Sequence, residues 1–376
     1  MNFKVCIMAS TIVLILSALL SLFNINSYSY ENLAAGKEIL PIEGASGPES
    51  LAFDPAGGGP YAGVSDGRII KWIPNQQRWI DFAVTSTQRE GCEGSHDHVD
   101  KENVCGRPLG LCFNERTGDL FIADAYMGLV VVGPNGGLAS KIVYGKAQGS
   151  NGFRFANGVD IDQNTQVVYF SQSSSRYPRR NYIPSIVSGD NTGSLMKYDP
   201  KTKQVSVLLS NLSFPNGVAL SEHGDFVLVS ESTTGKILRL WLRTPKSGTV
   251  DVFAEFRGFP DNIKRRAKEK GGGFWVGIHG RRTWVLKWIL SHPWIGKTIA
   301  MLPVDSTRIY SYVSSWRSVG LGIRVSENGE ILEEWEDKGL KFVSEVMEET
   351  NDDGHGVLFF GSIKMSFVAI QKRLHE

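Results

Sequence analysis

The sequence predicts an all-β fold, a six-bladed β-propeller with short helical insertions that follows an apolar N-terminal leader. Glycine is frequent, at 41 of 376 residues, and long helical patterns are scarce, a combination typical of many short strands joined by turns. One phrase also recurs: a Gly, Pro or Asn cluster, alternating apolar residues, a turn and a second β-rich run. Its copies begin at Gly47, Gly106, Ala156, Phe214, Phe259 and Phe342.

The spacing of these phrases distinguishes a propeller from a two-domain β-sandwich, the alternative that the chain length also permits. The phrases recur about every 59 residues on average, which accommodates four short strands and their loops. Sandwiches lack such in-phase repetition. A lone sheet of this size would expose its edges, whereas radial closure protects them. The sequence therefore predicts six blades within residues 30–376.

The N-terminal segment predicts entry into the secretory pathway. Lys4 precedes an apolar run at residues 5–23, which is typical of a signal peptide. The run is also long enough to span a bilayer, so a signal anchor that associates the protein with a membrane is the alternative interpretation of residues 1–29. The rest of the chain is expected in the vacuole, in the lumen of the endoplasmic reticulum or outside the cell. Asn211 begins an Asn-Leu-Ser sequon and is a predicted glycosylation site.

The cysteines fit an oxidising compartment. Cys92 and Cys105 bracket a polar stretch and form the natural disulfide pair, while Cys112 lies in an apolar strand as a buried thiol. His96 and His98 lie between the paired cysteines and leave a zinc site open, although the sequence has no second ligand pair with zinc-like spacing.

The charge balance argues against a nucleic-acid surface. The chain has 40 Lys and Arg against 39 Asp and Glu, a formal charge of +1, whereas binding to nucleic acid needs a basic face. We expect a small-molecule partner and a monomeric chain.

The start of each inner strand is where a propeller places side chains around its axis. At that phase of the repeat the sequence has Glu49, Leu109, Asn157, Asn216, Asp261 with Asn262, and Ser344. Two carboxylates and three carboxamides offer oxygen ligands and a summed charge of −2, which suits a hard divalent ion such as Ca²⁺. Asn-Gly and Pro-Asp-Asn are also common turn sequences, so a purely structural role is the alternative.

The phrases PESLAFD, ANGVDID, PNGVALS and FPDNI resemble those of calcium-dependent propeller hydrolases: paraoxonases, regucalcin-type lactonases and squid-type organophosphatases. In that group the matching residues hold a central calcium ion. The resemblance implies calcium as the cofactor, held by Glu49, Asn157, Asn216, Asp261 and Asn262.

A closer resemblance is to the strictosidine synthase-like family, which includes the adipocyte plasma membrane-associated protein. It rests on CGRPLGL, ADAYMGLVVV, VVYFSQSSSRY, FVLVSESTTGKILRLWL and GGGFWVGIHGRR, and it covers nearly the whole chain after the leader. The family's conserved disulfide falls on Cys92 and Cys105.

Two departures from these relatives shape the predicted chemistry. Strictosidine synthase joins an amine to an aldehyde with a glutamate whose place is taken here by Ser344. Glu345 is adjacent, but a shift of one residue along a strand turns a side chain to the opposite face. Paraoxonases have a histidine where this chain has Leu109. Proton transfer is then expected from Asp261 or His279.

Two insertions are expected to project near the mouth of the axis. Residues 171–183 contain Tyr177, and residues 282–302 contain three tryptophans. They are predicted to roof an apolar substrate pocket that includes Leu109, Tyr177 and Ser344. For the second insertion, contact with a membrane surface or simple packing on the propeller are the alternatives.

These features together predict a calcium-dependent hydrolase of apolar esters or lactones. One alternative is a Pictet–Spengler-type strictosidine synthase of alkaloid biosynthesis. The other is a non-catalytic, ion-stabilised propeller that binds a small molecule or a partner.

Overall fold

The computed structural model describes residues 37–96, 98–142, 154–315, 318–350 and 354–373. Their strands form six sheets arranged as the blades of a β-propeller, which confirms the fold that the repeated phrase predicts. The leader predicted at residues 1–29 lies outside the described residues.

The blades follow one another along the chain. Blade 1 consists of β2, β3, β4, β5 and β9 (Leu51–Ala52, Tyr61–Gly63, Arg68–Ile73, Arg78–Val84, Gly137–Leu138). Blade 2 consists of β6, β7, β8 and β10 (Pro108–Phe113, Leu120–Asp124, Gly128–Val132, Ser140–Lys141). Blade 3 consists of β11 to β14 (Ala156–Ile161, Val168–Gln172, Gly193–Asp199, Gln204–Leu212). Blade 4 consists of β15 to β18 (Pro215–Leu220, Phe226–Glu231, Lys236–Trp241, Val250–Glu255). Blade 5 consists of β19 to β22 (Gly258–Arg265, Phe274–Arg281, Gly320–Val325, Ile331–Asp337). Blade 6 consists of β23, β24, β25 and β1 (Val343–Thr350, Gly356–Ser362, Phe367–Lys372, Lys37–Pro41).

The ring is closed by the first described strand. β1 pairs antiparallel with β25, with Lys37 opposite Gln371 and Pro41 opposite Phe367. The last blade therefore takes its outer strand from the beginning of the chain. This pairing covers an edge that would otherwise offer free backbone groups.

Apolar side chains of adjacent blades fill the spaces between the sheets. β16 is buried along its whole length, and its side chains alternate between two cores because successive residues of a strand point to opposite faces. Val227 and Val229 pack with Leu195 of blade 3, while Leu228 packs with Phe274 of blade 5. Burial on both faces explains why these runs are rich in β-branched and apolar residues.

The Asn-Gly sequences are bulges in inner strands rather than hairpin turns. The pairing of β11 with β12 shifts its register between Ala156 and Val159. A Cβ atom on Gly158 would lie 2.5 Å from the carbonyl oxygen of Asn216, and one on Gly217 would lie equally close to the next inner strand. Glycine is needed there because neighbouring backbones approach each other around the axis. Each asparagine is therefore held where the blades meet.

The helices are short and lie in connections between strands, as predicted. They are α1 to α5 (Glu102–Cys105, Tyr182–Val187, Trp284–Leu290, Pro293–Ala300 and Ser306–Ser315), with 3-10 turns at Pro74–Gln76, Arg179–Asn181 and Lys268–Lys270. Helices α2 and α4 touch, since a Cβ atom on Gly296 would lie 1.7 Å from the carbonyl oxygen of Val187. In the part of the chain that the structure describes, no helix combines the length and apolarity needed to cross a membrane.

The predicted disulfide joins Cys92 and Cys105, whose Cα atoms are 5.6 Å apart. It closes the loop that carries α1, and it uses the two thiols that the alternative zinc site needs. Cys112 is free and half-buried, and burial raises the pKa of its thiol. Asn211 is exposed at the end of β14, so the predicted glycosylation site is accessible.

Candidate metal centre and active site

The five predicted ion ligands lie at the same end of the inner strands, around the axis. Glu49 lies two residues before β2, Asn157 and Asn216 lie near the starts of β11 and β15, and Asp261 and Asn262 lie in β19. Each is at most 5% exposed. The Asn262 Nδ2 atom donates to the Glu49 backbone oxygen at 3.4 Å, and the Asn216 side chain lies close enough to Asp261 to oppose the increase that burial causes in the pKa of its carboxyl group. The fold thus brings together residues that are far apart in the sequence.

Three oxygens of this group lack a hydrogen-bond donor. Among the described residues, nothing donates to the buried Oδ1 atoms of Asn157, Asn216 and Asp261. The Asn157 amide nitrogen is oriented by Ser173 Oγ, 3.0 Å away, so its oxygen is the free end. Leaving a buried polar atom unsatisfied costs about 1–3 kcal/mol, and native proteins contain few such atoms. Because carboxamide and carboxylate oxygens are the ligands that Ca²⁺ prefers, these residues fit a calcium-like ion.

The amides separate this site from a transition-metal centre. No group of three or more His, Cys, Asp and Glu side chains within the described ranges is arranged to hold a metal. Two of the three unsatisfied oxygens belong instead to asparagines. A ligand set of this composition favours a hard cation over zinc or iron.

Burial dominates the protonation of the two carboxyl groups. It raises the pKa of Asp261 well above the usual range of an aspartate, and the nearby Glu49 charge adds to that increase. Burial also raises the pKa of Glu49, while the Arg107 guanidinium acts in the opposite direction. A cation on the axis would favour the ionised form of both groups.

A buried network of charged side chains adjoins the ligands. Arg107 is 1% exposed, and its Nη2 atom lies 3.4 Å from Glu49 Oε2. Its Nε atom lies 3.9 Å from Glu102 Oε1. Glu102 accepts a hydrogen bond from Arg179 at Oε1 and one from the Tyr126 hydroxyl at Oε2. The charge of −2 deduced from the five ligands is therefore partly offset by Arg107.

The sequence analysis missed this network. Arg107 belongs to the phrase GRPLGL and lies two residues before the axial Leu109, so its position in the repeat was an available signal. Glu102 comes from the disulfide loop and Arg179 from the insertion after β12. The proximity of these side chains depends on the tertiary structure, and no local sequence pattern indicates it.

His279 lies beside the ligand group. Its Nδ1 atom is 3.7 Å from Asp261 Oδ2, and its ring packs against Phe342 and stacks on Tyr310 at centroid distances of 5.2 Å and 6.4 Å. Burial lowers the pKa of His279 to about 4, so the ring is neutral at pH 7. Its Nε2 atom is buried, and the described residues provide no partner for it.

The three residues predicted for the substrate pocket have different surroundings. Leu109 is 1% exposed in an axial apolar cluster with Ala125, Phe155, Ile186, Phe214 and Phe259. Ser344 is fully buried, and its hydroxyl donates to the Glu49 backbone oxygen at 2.7 Å. Tyr177 is half-buried, and its backbone amide donates to Ser174 Oγ at 2.8 Å. The tyrosine of this insertion that packs on the axial apolar cluster is Tyr182.

Glu345, next to Ser344, directs its carboxylate towards neighbouring inner strands. Its Oε1 atom accepts the Leu51 amide at 2.6 Å, and its Oε2 atom accepts the Ser50 hydroxyl at 3.0 Å and lies 3.5 Å from Lys264 Nζ. The carboxylate is therefore occupied by structural partners, whereas the adjacent Ser344 contacts the ligand group.

The two insertions meet at this end of the propeller. Tyr182 of α2 and Leu286 of α3 are partly buried against the axial apolar cluster, which agrees with a roof built from both segments. The tryptophans of the second insertion face solvent instead: Trp284, Trp288 and Trp294 are 78%, 50% and 67% exposed. They do not line a closed pocket.

Known proteins resemble this chain in sequence over nearly its whole length. Residues 157–245 match a family model described as strictosidine synthase, and residues 32–72 match one described as strictosidine synthase-like, N-terminal. The chain is 48% identical over 341 residues to strictosidine synthase-like protein 2 of Arabidopsis thaliana, covering 89% of each chain. It is 47% identical over 336 residues to strictosidine synthase-like protein 10 of the same plant, covering 89% of this chain and 87% of the relative. The chain belongs to the strictosidine synthase-like family. The resemblance to the strictosidine synthase-like family, noted from the sequence, is thereby confirmed.

Solved structures that resemble this strictosidine synthase-like chain include two bacterial propellers. One is a gluconolactonase from Xanthomonas campestris, with a TM-score of 0.57, 12% identity and 91% coverage of both chains. The other is a calcium-binding regucalcin from Agrobacterium tumefaciens, with a TM-score of 0.54, 13% identity and coverage of 90% of this chain and 93% of that one. At such low identity the likeness establishes the propeller fold alone.

Proposed function

We propose that this strictosidine synthase-like protein hydrolyses apolar esters or lactones and holds a calcium ion on its axis. The observation that carries the proposal is the set of three buried, unsatisfied oxygens of Asn157, Asn216 and Asp261. Glu49 would complete the set with a second carboxylate, and Asn262 would hold the Glu49 backbone in place. The gluconolactonase and the calcium-binding regucalcin share the fold, which is compatible with this chemistry.

When bound in such a site, a calcium ion polarises a carbonyl oxygen and makes a nearby water more acidic. The chain's own residues would supply the proton transfer. Neutral His279 can accept a proton at Nε2, and Asp261, 3.7 Å from its Nδ1 atom, would stabilise the imidazolium that forms. The low pKa of His279 keeps the base available at all pH values above about 4.

The apolar surroundings favour an apolar substrate. The axial apolar cluster around Leu109, with the adjoining Tyr182 and Leu286, would bind a hydrocarbon acyl or ring portion and exclude water from the charged end. The buried Arg107 and Arg179 lie on the Glu49 side. An ester or lactone carbonyl between these regions would meet both an apolar wall and a polarising group.

The test is hydrolysis of phenyl acetate and of an alkyl-substituted δ-lactone by chelator-treated protein, with and without added calcium. We expect turnover that disappears with chelator and returns with calcium, and that falls strongly in His279→Gln. Calcium binding without turnover on any ester or lactone would refute the hydrolase and favour the binding propeller. Equal turnover in chelator would refute the ion's role.

The non-catalytic alternative has one observation in its favour. Arg107 places a permanent cation 3.4 Å from Glu49 and thereby supplies part of the charge that an ion would bring. A propeller with this pair could retain its fold without calcium and bind a ligand at the same end. The Pictet–Spengler alternative has no comparable support, because Ser344 and Glu345 are both held by structural contacts. Localisation in the secretory pathway remains a prediction from the leader.

A further inference from the structure

The outer side of α3 and α4 is an unusually apolar surface. Among the described residues, ten large apolar side chains are exposed, and five of them lie in this one segment. We call these five the docking face: Trp284, Val285, Trp288, Trp294 and Met301, which are 78%, 43%, 50%, 67% and 81% exposed. Exposed apolar side chains scattered singly are ordinary, but a contiguous group marks an interaction surface.

The exposure of the docking face does not reflect loose attachment of the helices. Leu286 of α3 packs on the axial apolar cluster, and Gly296 of α4 is buried against the Val187 backbone of α2. The exposed residues follow helical spacing: Trp284 and Trp288 are one turn apart on α3, and Met301 lies two turns after Trp294. Both helices therefore use one side to pack on the propeller and present a second apolar side to the surroundings.

The segment that carries the docking face has basic but no acidic side chains. Residues 281–304 contain four Lys and Arg and no Asp or Glu. Arg281 pairs with Glu336 and Arg282 donates to the Thr234 carbonyl. Lys287 and Lys297 are exposed beside the tryptophans, and no acidic group of the described ranges forms an ion pair with either.

We propose that the docking face binds the surface of an anionic lipid bilayer. Tryptophan suits this environment because its ring has an apolar body and a polar N–H, and helices with aromatic residues beside lysines lie in the headgroup region of membranes. Lysines near an anionic bilayer strengthen binding to it. A second copy of the chain is a poorer occupant, since two such faces would bring lysines of like charge together.

The proposal goes beyond the proposed hydrolase and does not require the ion. Binding through the docking face would orient the axial site relative to the membrane, since Leu286 lies between the docking face and the axial apolar cluster. A chain docked in this way would have the roof of its site on the membrane side. Apolar molecules dissolved in the bilayer would then lie close to the site.

The experiment uses the full chain with vesicles of phosphatidylcholine alone or mixed with phosphatidylserine. Hydrogen exchange is followed in peptides that cover residues 284–301, because residues 5–23 are themselves apolar and a bulk binding assay would not separate the two segments. One variant combines Trp284→Ser, Trp288→Ser and Trp294→Ser. The matched control combines Ile331→Ser and Leu332→Ser, which are 47% and 49% exposed on β22.

We expect vesicles that contain phosphatidylserine to protect residues 284–301 in the wild-type chain and in the control. The tryptophan variant should lose that protection, with apparent affinity through this segment reduced about tenfold or more. In case the tryptophan variant folds poorly, Lys287→Glu with Lys297→Glu keeps the aromatic rings and should also abolish protection. Unchanged exchange on anionic vesicles, or protection that grows with protein concentration in the absence of lipid, would overturn the proposal, the latter in favour of self-association.

Discussion

Two pairs of carboxyl groups on or just before the inner strands differ in how their oxygens are used. Asp160 and Glu345 are held by backbone amides: Asp160 accepts two at 2.8 Å and 2.7 Å, and Glu345 accepts one at 2.6 Å together with a hydroxyl. Asp261 has an oxygen without a donor in the described structure, and Glu49 faces a guanidinium at 3.4 Å. Burial raises the pKa of all four groups.

This comparison shows that burial and a raised pKa do not by themselves mark a functional site. Asp160 and Glu345 connect neighbouring strands, and their carboxylate oxygens accept hydrogen bonds from the protein. In the axial pair, Asp261 retains an oxygen that no described residue hydrogen-bonds. Such local exceptions to polar satisfaction are expected where a ligand completes the structure.

The largest expected effect comes from removing the internal cation. Arg107→Met should lower the stability of the calcium-free protein by about 3–5 kcal/mol, because it leaves the buried Glu49 charge without a partner. Calcium should restore more stability in this variant than in the wild type, since the ion no longer competes with the guanidinium. Urea denaturation with calcium or with chelator measures both quantities. An equal response to calcium in the two proteins would show that Arg107 and the ion do not share Glu49.

The second effect contrasts the two pairs directly. Asp261→Asn should lower kcat/KM for the ester by about 100-fold or more without lowering the melting temperature, because an amide is less costly to bury than a carboxylate. Asp160→Asn should retain activity and lose about 1–3 kcal/mol of stability, because a backbone donor loses its acceptor. Kinetics and thermal denaturation of both variants test the contrast. If Asp261→Asn is destabilised as much as Asp160→Asn, the carboxyl group is structural.

The smallest expected effect is a pH dependence of calcium binding. Because the pKa values of Asp261 and Glu49 are raised in the calcium-free protein, the folded state keeps protons that the unfolded state has released. Its stability therefore falls as the pH rises from the ordinary carboxyl range through the raised values. Calcium must displace these protons, so its affinity should increase with pH over the same window. Calorimetry in buffers of different ionisation enthalpy measures the protons released; zero release would contradict the raised pKa values.

Much of the fold was accessible from the sequence because the repeated phrase carries both strand pattern and phase. Six blades, the inner-strand positions and the pairing of Cys92 with Cys105 follow from it or from the family resemblance. The closing pair of β1 and β25 was not predicted, since Lys37 and Gln371 are joined only by long-range backbone hydrogen bonds. The strand β9, which lies in the chain between the blade 2 strands β8 and β10 but pairs with β5 of blade 1, is short and lacks a pattern of its own.

The candidate site was predicted less completely. The repeat phase predicted the five candidate ion ligands together, because every blade brings the same position to the axis. It did not reveal the Glu102, Arg107 and Arg179 network, two members of which come from loops outside the repeat. The exposure of the tryptophans was left open between a pocket roof, a membrane contact and packing on the propeller, since helical spacing alone does not tell which side of a helix packs on the propeller.

The account depends most directly on whether a calcium ion occupies the axis. The decisive measurement is a calorimetric titration of chelator-stripped wild-type protein with calcium, repeated with Asp261→Asn and with Glu345→Gln. We predict one ion bound per chain in the wild type and in Glu345→Gln, and loss of binding in Asp261→Asn. Absence of binding in the wild type, or equal binding in Asp261→Asn, would contradict the account.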